Sequence, residues 1–223
     1  MDIEQNSLQE RARRHAALGD PARLRIADLL SASDRSSAEV QAELGISSSL
    51  LAHHLGVLEG AGLIARHRSE GDRRRSYLRL REISGDSFGP KAALAARRVV
   101  FVCTGNSARS QLAAALWREQ SDVPSASAGT HPARAVASGA RDAARRRGLP
   151  ELAARPQDLA DVLRVDDLIV TVCDVAREDL GDHVAVHWSV PDPVPTGTAA
   201  AFDAAVDELA ERIGALTHRI NAA

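Results

Sequence analysis

Cysteine is scarce in this chain: Cys103 and Cys173 are the only two in 223 residues. That excludes a disulfide-stapled scaffold and leaves reactivity or simple burial as the reason for each. Aromatic residues make up only 3%, and with alanine abundant and basic charge almost all arginine this reads as compositional bias rather than function. No apolar run is long enough to span a bilayer, and the opening MDIEQNSLQE lacks a basic stretch followed by an apolar one. A soluble, cytoplasmic protein with no membrane partner is expected. Excess charge of either sign is missing too. With 28 Lys+Arg against 30 Asp+Glu and a net charge of -2, any nucleic-acid contact must come from a local basic patch.

What is present suffices for two cores, since 44% of the residues are hydrophobic and the length suits two small domains. Helical signals are dense up to about Gly62, then give way to an alternating, arginine-rich stretch that ends near Arg81. Residues 84–96 (SGDSFGPKAALAA) carry Gly85, Gly89 and Pro90 with no sustained period, so a linker is predicted there, between domains 1–83 and 97–223. From Arg97 onward, short apolar runs (RRVVFVC, DDLIVTVC, HVAVHW) alternate with helical stretches, the pattern of a parallel sheet with crossover helices. The predicted fold class is α/β and multidomain, an N-terminal winged helix-turn-helix followed by a parallel-sheet α/β domain.

In the first domain Asp20-Pro21 marks a helix start, with Leu24, Ile26, Leu29 and Leu30 as its apolar face. Ser36 or Ser37 caps a short helix (AEVQAEL) that Gly45 stops, and Ser47 opens another through SSLLAHHLGVLEGAG. Two helices joined by a tight turn form a helix-turn-helix. Leu51, Leu55 and Leu58 share one face of the second, while Ser48, Ser49, Ala52 and His53 share the other, a set of small side chains suited to a major groove. Beyond Gly62, LIARHRS and RRRSYLRL flank the turn Glu70-Gly71-Asp72, and Leu78 and Leu80 alternate with Arg75, Tyr77, Arg79 and Arg81. This predicts a basic β-wing. The candidate DNA contacts are Ser47, Ser48, Ser49, Ala52 and His53 for bases, with Arg66, Arg68, Arg73, Arg74 and Arg75 for phosphates.

The order of these features, with HAALGDPARLRIADLL, LLAHHLGVLEGAGLI and SEGDRRRSYLRL, resembles the ArsR-type winged-helix repressors across the whole domain. The resemblance implies operator DNA as partner and a homodimer on a palindromic site. Arsenic-sensing members of that family use cysteine thiolates, and this domain has no cysteine, so thiolate metalloid sensing in this half is excluded. No metal is expected, and His53 and His54 read as residues of the recognition helix rather than ligands.

Residues 99–110 (VVFVCTGNSARS) carry the chemistry of the second domain. A strand-to-helix loop offers an oxyanion its backbone N–H groups and the positive end of a helix. Here Cys103 heads the loop, Gly105 permits a tight fold, Asn106 can take a left-handed conformation and Arg109 supplies a planar fork. Thr104, Gly105, Asn106, Ser107, Ala108, Arg109 and Ser110 are the expected oxyanion-binding residues. The same field favours the thiolate of Cys103, and Ser110 adds a hydroxyl donor. A cysteine, five residues, then arginine and serine resembles the low-molecular-weight tyrosine phosphatase fold and the arsenate reductases that share it. That resemblance runs from Arg97 to the C-terminus. It implies a general acid from a late Asp-Pro loop, which in VHWSVPDPVPTG is Asp192. The helix beyond, with Phe202, Val206, Leu209, Ile213, Leu216 and Ile220 at three- and four-residue spacing, is a packing element.

Reductase and phosphatase share the first step and part at the second, where reduction needs another thiol. Cys173 ends the run DDLIVTVC, where thioredoxin-linked arsenate reductases place their first resolving cysteine; burial at a strand end is the alternative. The further cysteine of those enzymes is missing from VAREDLGD, and Ala108 stands where many relatives have a loop cysteine. No bound cofactor is expected. The reductant is external: thioredoxin, or mycothiol or glutathione with a glutaredoxin-like protein. Val194, Pro195 and Thr196 follow Asp192-Pro193, where tyrosine phosphatases of this fold carry tyrosines. The favoured expectation is an arsenate reductase, acting on arsenate or a phosphate-like oxyanion, fused to a DNA-binding repressor of arsenic resistance. Alternatives are a tyrosine phosphatase fused to a regulator, or a regulator whose second domain only senses oxyanion or thiol state.

Overall fold

The computed structural model describes residues 2–81 and 94–222, except the side chains of residues 2–7, 221 and 222. Residues 82–93, which include most of the expected linker, lie outside the described residues. The chain divides into two compact units.

The first unit opens with α1 (Asp2–Leu18) and α2 (Pro21–Leu30). Asp20 caps α2, its Oδ1 accepting from the N–H groups of Ala22 at 2.9 Å and Arg23 at 3.0 Å, and Pro21 fills the first turn, where no N–H is needed. Ile26, Ala27 and Leu30 are buried, whereas Leu24, expected on the same face, is exposed. A two-residue strand β1 (Arg35–Ser36) leads into α3 (Ser37–Leu44). Ser36 and Glu39 form a reciprocal capping box at its start, and Gly45 ends it at φ 63°. Ser47 caps α4 (Ser48–Gly60), which buries Leu51, His54, Leu55 and Leu58. Each leucine so buried stabilises the unit by about 1.5–3 kcal/mol relative to exposure.

Strands β2 (Ile64–Arg68) and β3 (Ser76–Leu80) pair antiparallel, and β1 joins the other edge of β3. The strict alternation expected along β3 fails at one place. Tyr77 is buried next to buried Leu78 rather than facing out with Arg75 and Arg79.

In the second unit, residues 94–96 of the expected linker instead form β4 (Leu94–Ala96). The unit continues with β5 (Arg98–Cys103), α5 (Arg109–Gln120), β6 (Ser125–Gly129), α6 (Ser138–Arg146), α7 (Leu159–Val162), β7 (Asp167–Thr171) and α8 (Asp174–Leu180). A 3-10 turn, Gly181–His183, precedes β8 (Val186–His187), α9 (Pro193–Thr196), α10 (Ala199–Thr217) and β9 (Ile220–Ala222). The main sheet is parallel, ordered β6-β5-β7-β8. Central β5 is covered on both faces, which is why Val99, Val100, Phe101 and Val102 are all apolar and fully buried. Trp117 and Trp188 pack on Phe101 with ring centroids 5.8 and 6.2 Å away.

Helix α10 buries Phe202, Val206, Leu209, Ile213 and Leu216 as its spacing demands. Ile220 falls outside that helix, in β9, which pairs parallel with β4 through Leu94↔Ile220. At the other end of the sheet, Arg98 grips Asp167 in a two-pronged ion pair, Nε to Oδ1 at 2.8 Å and Nη2 to Oδ2 at 2.5 Å. Among the described residues no helix is long and apolar enough to cross a membrane.

Candidate active site and DNA-reading face

Strand β5 delivers Cys103 to the carboxyl end of the parallel sheet, where open α/β sheets bind ligands. Residues 104–108 turn the chain into α5, whose first residue is Arg109. The left-handed position falls on Asn106, at φ 46°, and not on Gly105. A side-chain network fixes the turn. Asn106 Nδ2 donates to Ser110 Oγ at 2.8 Å, and Asn106 Oδ1 accepts from Gln157 N at 2.9 Å.

Ser110 Oγ accepts from Asn106 and keeps its hydroxyl hydrogen available to Cys103 Sγ, 3.1 Å away. The N–H of Asn106 also points at this sulfur, at 3.2 Å. The Ser110 hydroxyl and the Asn106 N–H thus both face Sγ. The cleft above it is lined by Cys103, Thr104, Gly105, Arg109, Val194 and Pro195 among others, with no aromatic ring among the described residues that line it.

Arg109 is buried; its Nη1 donates to Val190 O at 2.8 Å, and its Nη2 lies 3.1 Å from Asp192 Oδ2. Burial by itself would lower its pKa, but negative charge at Cys173, Asp192 and Cys103 outweighs burial and shifts it upward. Asp192 caps α9, with Oδ1 accepting from Val194 N at 3.1 Å. Its carboxylate is thereby anchored on one oxygen and faces Arg109 with the other.

The second thiol lies against the same loop. Cys173, two residues past the end of β7 and at the cap of α8, accepts the N–H of Thr104 at 3.2 Å, and Thr104 Oγ1 lies 3.4 Å from its sulfur. Burial first, then the charge of Cys103, push the Cys173 thiol up to about 11, against the opposing pull of Arg109. Both cysteines are free.

Three features of this site have no counterpart among the residues expected from sequence. Gln111 donates to Asn106 O at 2.9 Å from the first turn of α5; a buried polar residue directly after Ser110 is its only sequence signal. Val190 contributes a carbonyl, which no side-chain pattern reveals. Asp174, His187 and Thr171 form a buried chain beside Cys173, with Asp174 Oδ1 3.2 Å from His187 Nε2 and Thr171 Oγ1 3.0 Å from His187 Nδ1. Burial disfavours the Asp174 charge, yet bonds from His187 and Ser189 hold its carboxyl below the ordinary range. Among the described residues no three His, Cys, Asp or Glu side chains gather as metal ligands would.

In the first unit, Ser47, Ser48, Ser49, Ala52 and His53 are all exposed along the start and outer face of α4, whereas His54 turns into the core. Arg68, Arg73, Arg74 and Arg75 are exposed at the wing. Arg66 is engaged within the unit, its Nε 3.2 Å from Glu59 Oε1 and its Nη1 donating to Ser37 Oγ at 3.0 Å. It braces the wing against α3 and α4, in competition with any phosphate.

The family model for the low molecular weight phosphotyrosine protein phosphatase matches residues 98–223. A helix-turn-helix domain model matches residues 18–67. No curated protein matches the chain. Among solved structures, a YwlE mutant from Bacillus subtilis is 22% identical, over 55% of this chain and 97% of that one, at TM-score 0.49. An arsenate reductase from Archaeoglobus fulgidus is 27% identical, over 54% and 98%, at TM-score 0.46. Wzb from Vibrio vulnificus, in complex with benzylphosphonate, is 18% identical over 55% and 97%, at TM-score 0.49. The strand, cysteine loop and helix of the second unit all fall inside the phosphatase-model match, and the chain belongs to the low molecular weight phosphotyrosine protein phosphatase family, with a helix-turn-helix domain fused before it in sequence.

Proposed function

We propose that the chain couples arsenate reduction in its second unit to operator binding by its first, an ArsR-type winged helix acting as a homodimer in arsenic resistance. The observation that carries the proposal is the second thiol against the oxyanion loop, with Cys173 Sγ accepting the N–H of Thr104, the residue after the nucleophile. Cys103 attacks arsenate held by the loop and Arg109. A sulfur–arsenic bond forms, an arsenic–oxygen bond breaks, and Asp192 gives the departing oxygen its proton so that water leaves. A second thiol then attacks Cys103 Sγ. The new disulfide takes shape as the sulfur–arsenic electron pair passes to arsenic, which leaves as arsenite, and the two sulfurs are oxidised.

Cys173 is assigned that attack. Part of what raises its pKa is the charge on the Cys103 sulfur; once that sulfur is bonded to arsenic, negative charge sits on the arsenate oxygens, held by Arg109 and the loop. An external thiol system, thioredoxin, or mycothiol or glutathione with a glutaredoxin-like protein, then restores the pair.

A second function is favoured by the match to the phosphatase model: hydrolysis of a phosphoester through a Cys103 phosphocysteine. The experiment compares arsenate-dependent turnover in each thiol system with p-nitrophenyl phosphate hydrolysis, for wild type, Cys103→Ser and Cys173→Ser. Arsenate turnover lost in Cys103→Ser supports reduction; hydrolysis alone supports the phosphatase, and neither activity supports a sensor. Full arsenate turnover in Cys173→Ser assigns the second attack to the external thiol. For the first unit, His53→Ala and Arg73→Ala should weaken binding to operator DNA, the arginine change also flattening the salt dependence.

A further inference from the structure

Every carbonyl from Cys103 to Ser107 has a partner on the outer side of the loop. Cys103 O accepts from Thr130 N at 3.1 Å, Thr104 O from His131 N at 2.9 Å, Gly105 O from Ala133 N at 2.8 Å and Ser107 O from Ala137 N at 2.9 Å. Asn106 O accepts from Gln111 Nε2 at 2.9 Å. All but the last come from the segment directly after β6.

A trans peptide points its carbonyl and the next residue's N–H in opposite directions. Five carbonyls turned outward therefore turn the N–H groups of residues 104–108 inward. Two of these are seen doing so, since Thr104 N reaches Cys173 Sγ and Asn106 N reaches Cys103 Sγ. The N–H groups of Gly105, Ser107 and Ala108 have no protein acceptor among the described residues. The carbonyls before them, bonded as above, turn these three N–H groups the opposite way. The close approach that permits this depends on Gly129, the last residue of β6, where a Cβ would stand 2.6 Å from Thr104 O and 3.0 Å from Asn106 N.

We propose that residues 129–137 are the positioning device of the oxyanion loop: a backbone strap that holds the carbonyls outward so that the N–H groups meet a tetrahedral anion. It rests on the assignment of that loop as an oxyanion site and holds for arsenate and phosphate alike. The strap touches no substrate. Its residues act through the peptide groups they orient.

The test breaks one strap bond at its donor, where the strap's own backbone already suits proline. Ala137 lies at φ -60° and ψ 132°, a conformation proline adopts freely, and as the cap of α6 its N–H serves no helical bond. Ala137→Pro removes the donor to Ser107 O, and its Cδ, standing where the N–H was, displaces that carbonyl from the strap. The readout is protection of Cys103 from iodoacetamide by inorganic phosphate, which gives an anion dissociation constant independent of turnover, with the thermal midpoint measured alongside.

Ala137→Pro should raise the phosphate Kd about tenfold, the worth of one oriented hydrogen bond, at an unchanged midpoint. Gly129→Ala, which displaces the loop itself, should raise it about a hundredfold. Wild-type phosphate affinity in Ala137→Pro, whatever its midpoint, overturns the proposal. Failure of phosphate to protect wild-type Cys103 overturns the oxyanion site instead, so the two failures are distinct.

Discussion

Replacing Arg109 by lysine tests whether the guanidinium works as a fork or only as a positive charge. The side chain is buried, tied to Val190 O at 2.8 Å and facing Asp192 at 3.1 Å, so its plane is fixed before any anion arrives. A lysine ammonium keeps the charge but cannot hold these two groups and also offer a planar pair of donors to two oxygens. The substitution thus removes at least one charge-assisted hydrogen bond to the anion, worth about 1.5–3 kcal/mol. At about 1.4 kcal/mol per decade that is a loss of roughly 10- to 150-fold in kcat/KM. The assay is turnover with arsenate and with p-nitrophenyl phosphate, supported by phosphate protection of Cys103 and a thermal unfolding curve. A folded Arg109→Lys enzyme that keeps wild-type kcat/KM on the better substrate and wild-type phosphate affinity would refute the bidentate assignment.

Cys173 should alkylate slowly at neutral pH and speed up only as the pH nears its value of about 11. In Cys103→Ser that rise should move to lower pH, because the charge of Cys103 helps hold the thiol up; mass spectrometry after timed alkylation reads both, and identical profiles would contradict the coupling. Asp167→Asn should destabilise the second unit by about 2–3 kcal/mol in denaturant unfolding, since it leaves the Arg98 guanidinium with half its pair. Burial opposes the Asp167 charge, but the Arg98 bond and the Arg164 N–H hold its carboxyl below its ordinary 3.8. Its contribution is complete above that ordinary value and is lost as pH falls through the lowered folded one, so the variant should differ least from wild type in strong acid. Ser36→Ala should cost the first unit about 1 kcal/mol by removing one arm of the capping box, seen as a lower thermal midpoint.

The turn from Cys103 into α5 is legible in sequence because it is local: a residue able to take positive φ, between a strand end and an arginine that opens a helix, leaves the chain few ways to arrange them. Caps are legible for the same reason, as Asp20, Ser36 and Ser47 show. Residues that depend on meetings between distant segments are not. Nothing near Gly129 in sequence announces that Thr104 O will stand against it. Asp174 and His187 are ordinary polar residues until parallel pairing of β7 with β8 brings them to 3.2 Å. Tyr77 obeys the alternation of β3 on paper and breaks it in space, since packing rather than strand period decides which neighbours turn inward. Ile220 fits the helical spacing of α10 but belongs to the strand after it, because the helix stops at Thr217.

The pairing of β4 with β9 gives the second unit a history as well as a shape. β4 sits one residue before the strand that carries Cys103, and its strand partner among the described residues emerges after every other element of the unit. During synthesis the sheet, the cysteine loop and α10 can therefore assemble while residues 94–96 still have no neighbour to bond. The tether is fastened last, by three residues that take no part in the chemistry. Until they arrive, residues 94–96 have no strand to pair with, and their pairing waits on the last strand of the unit.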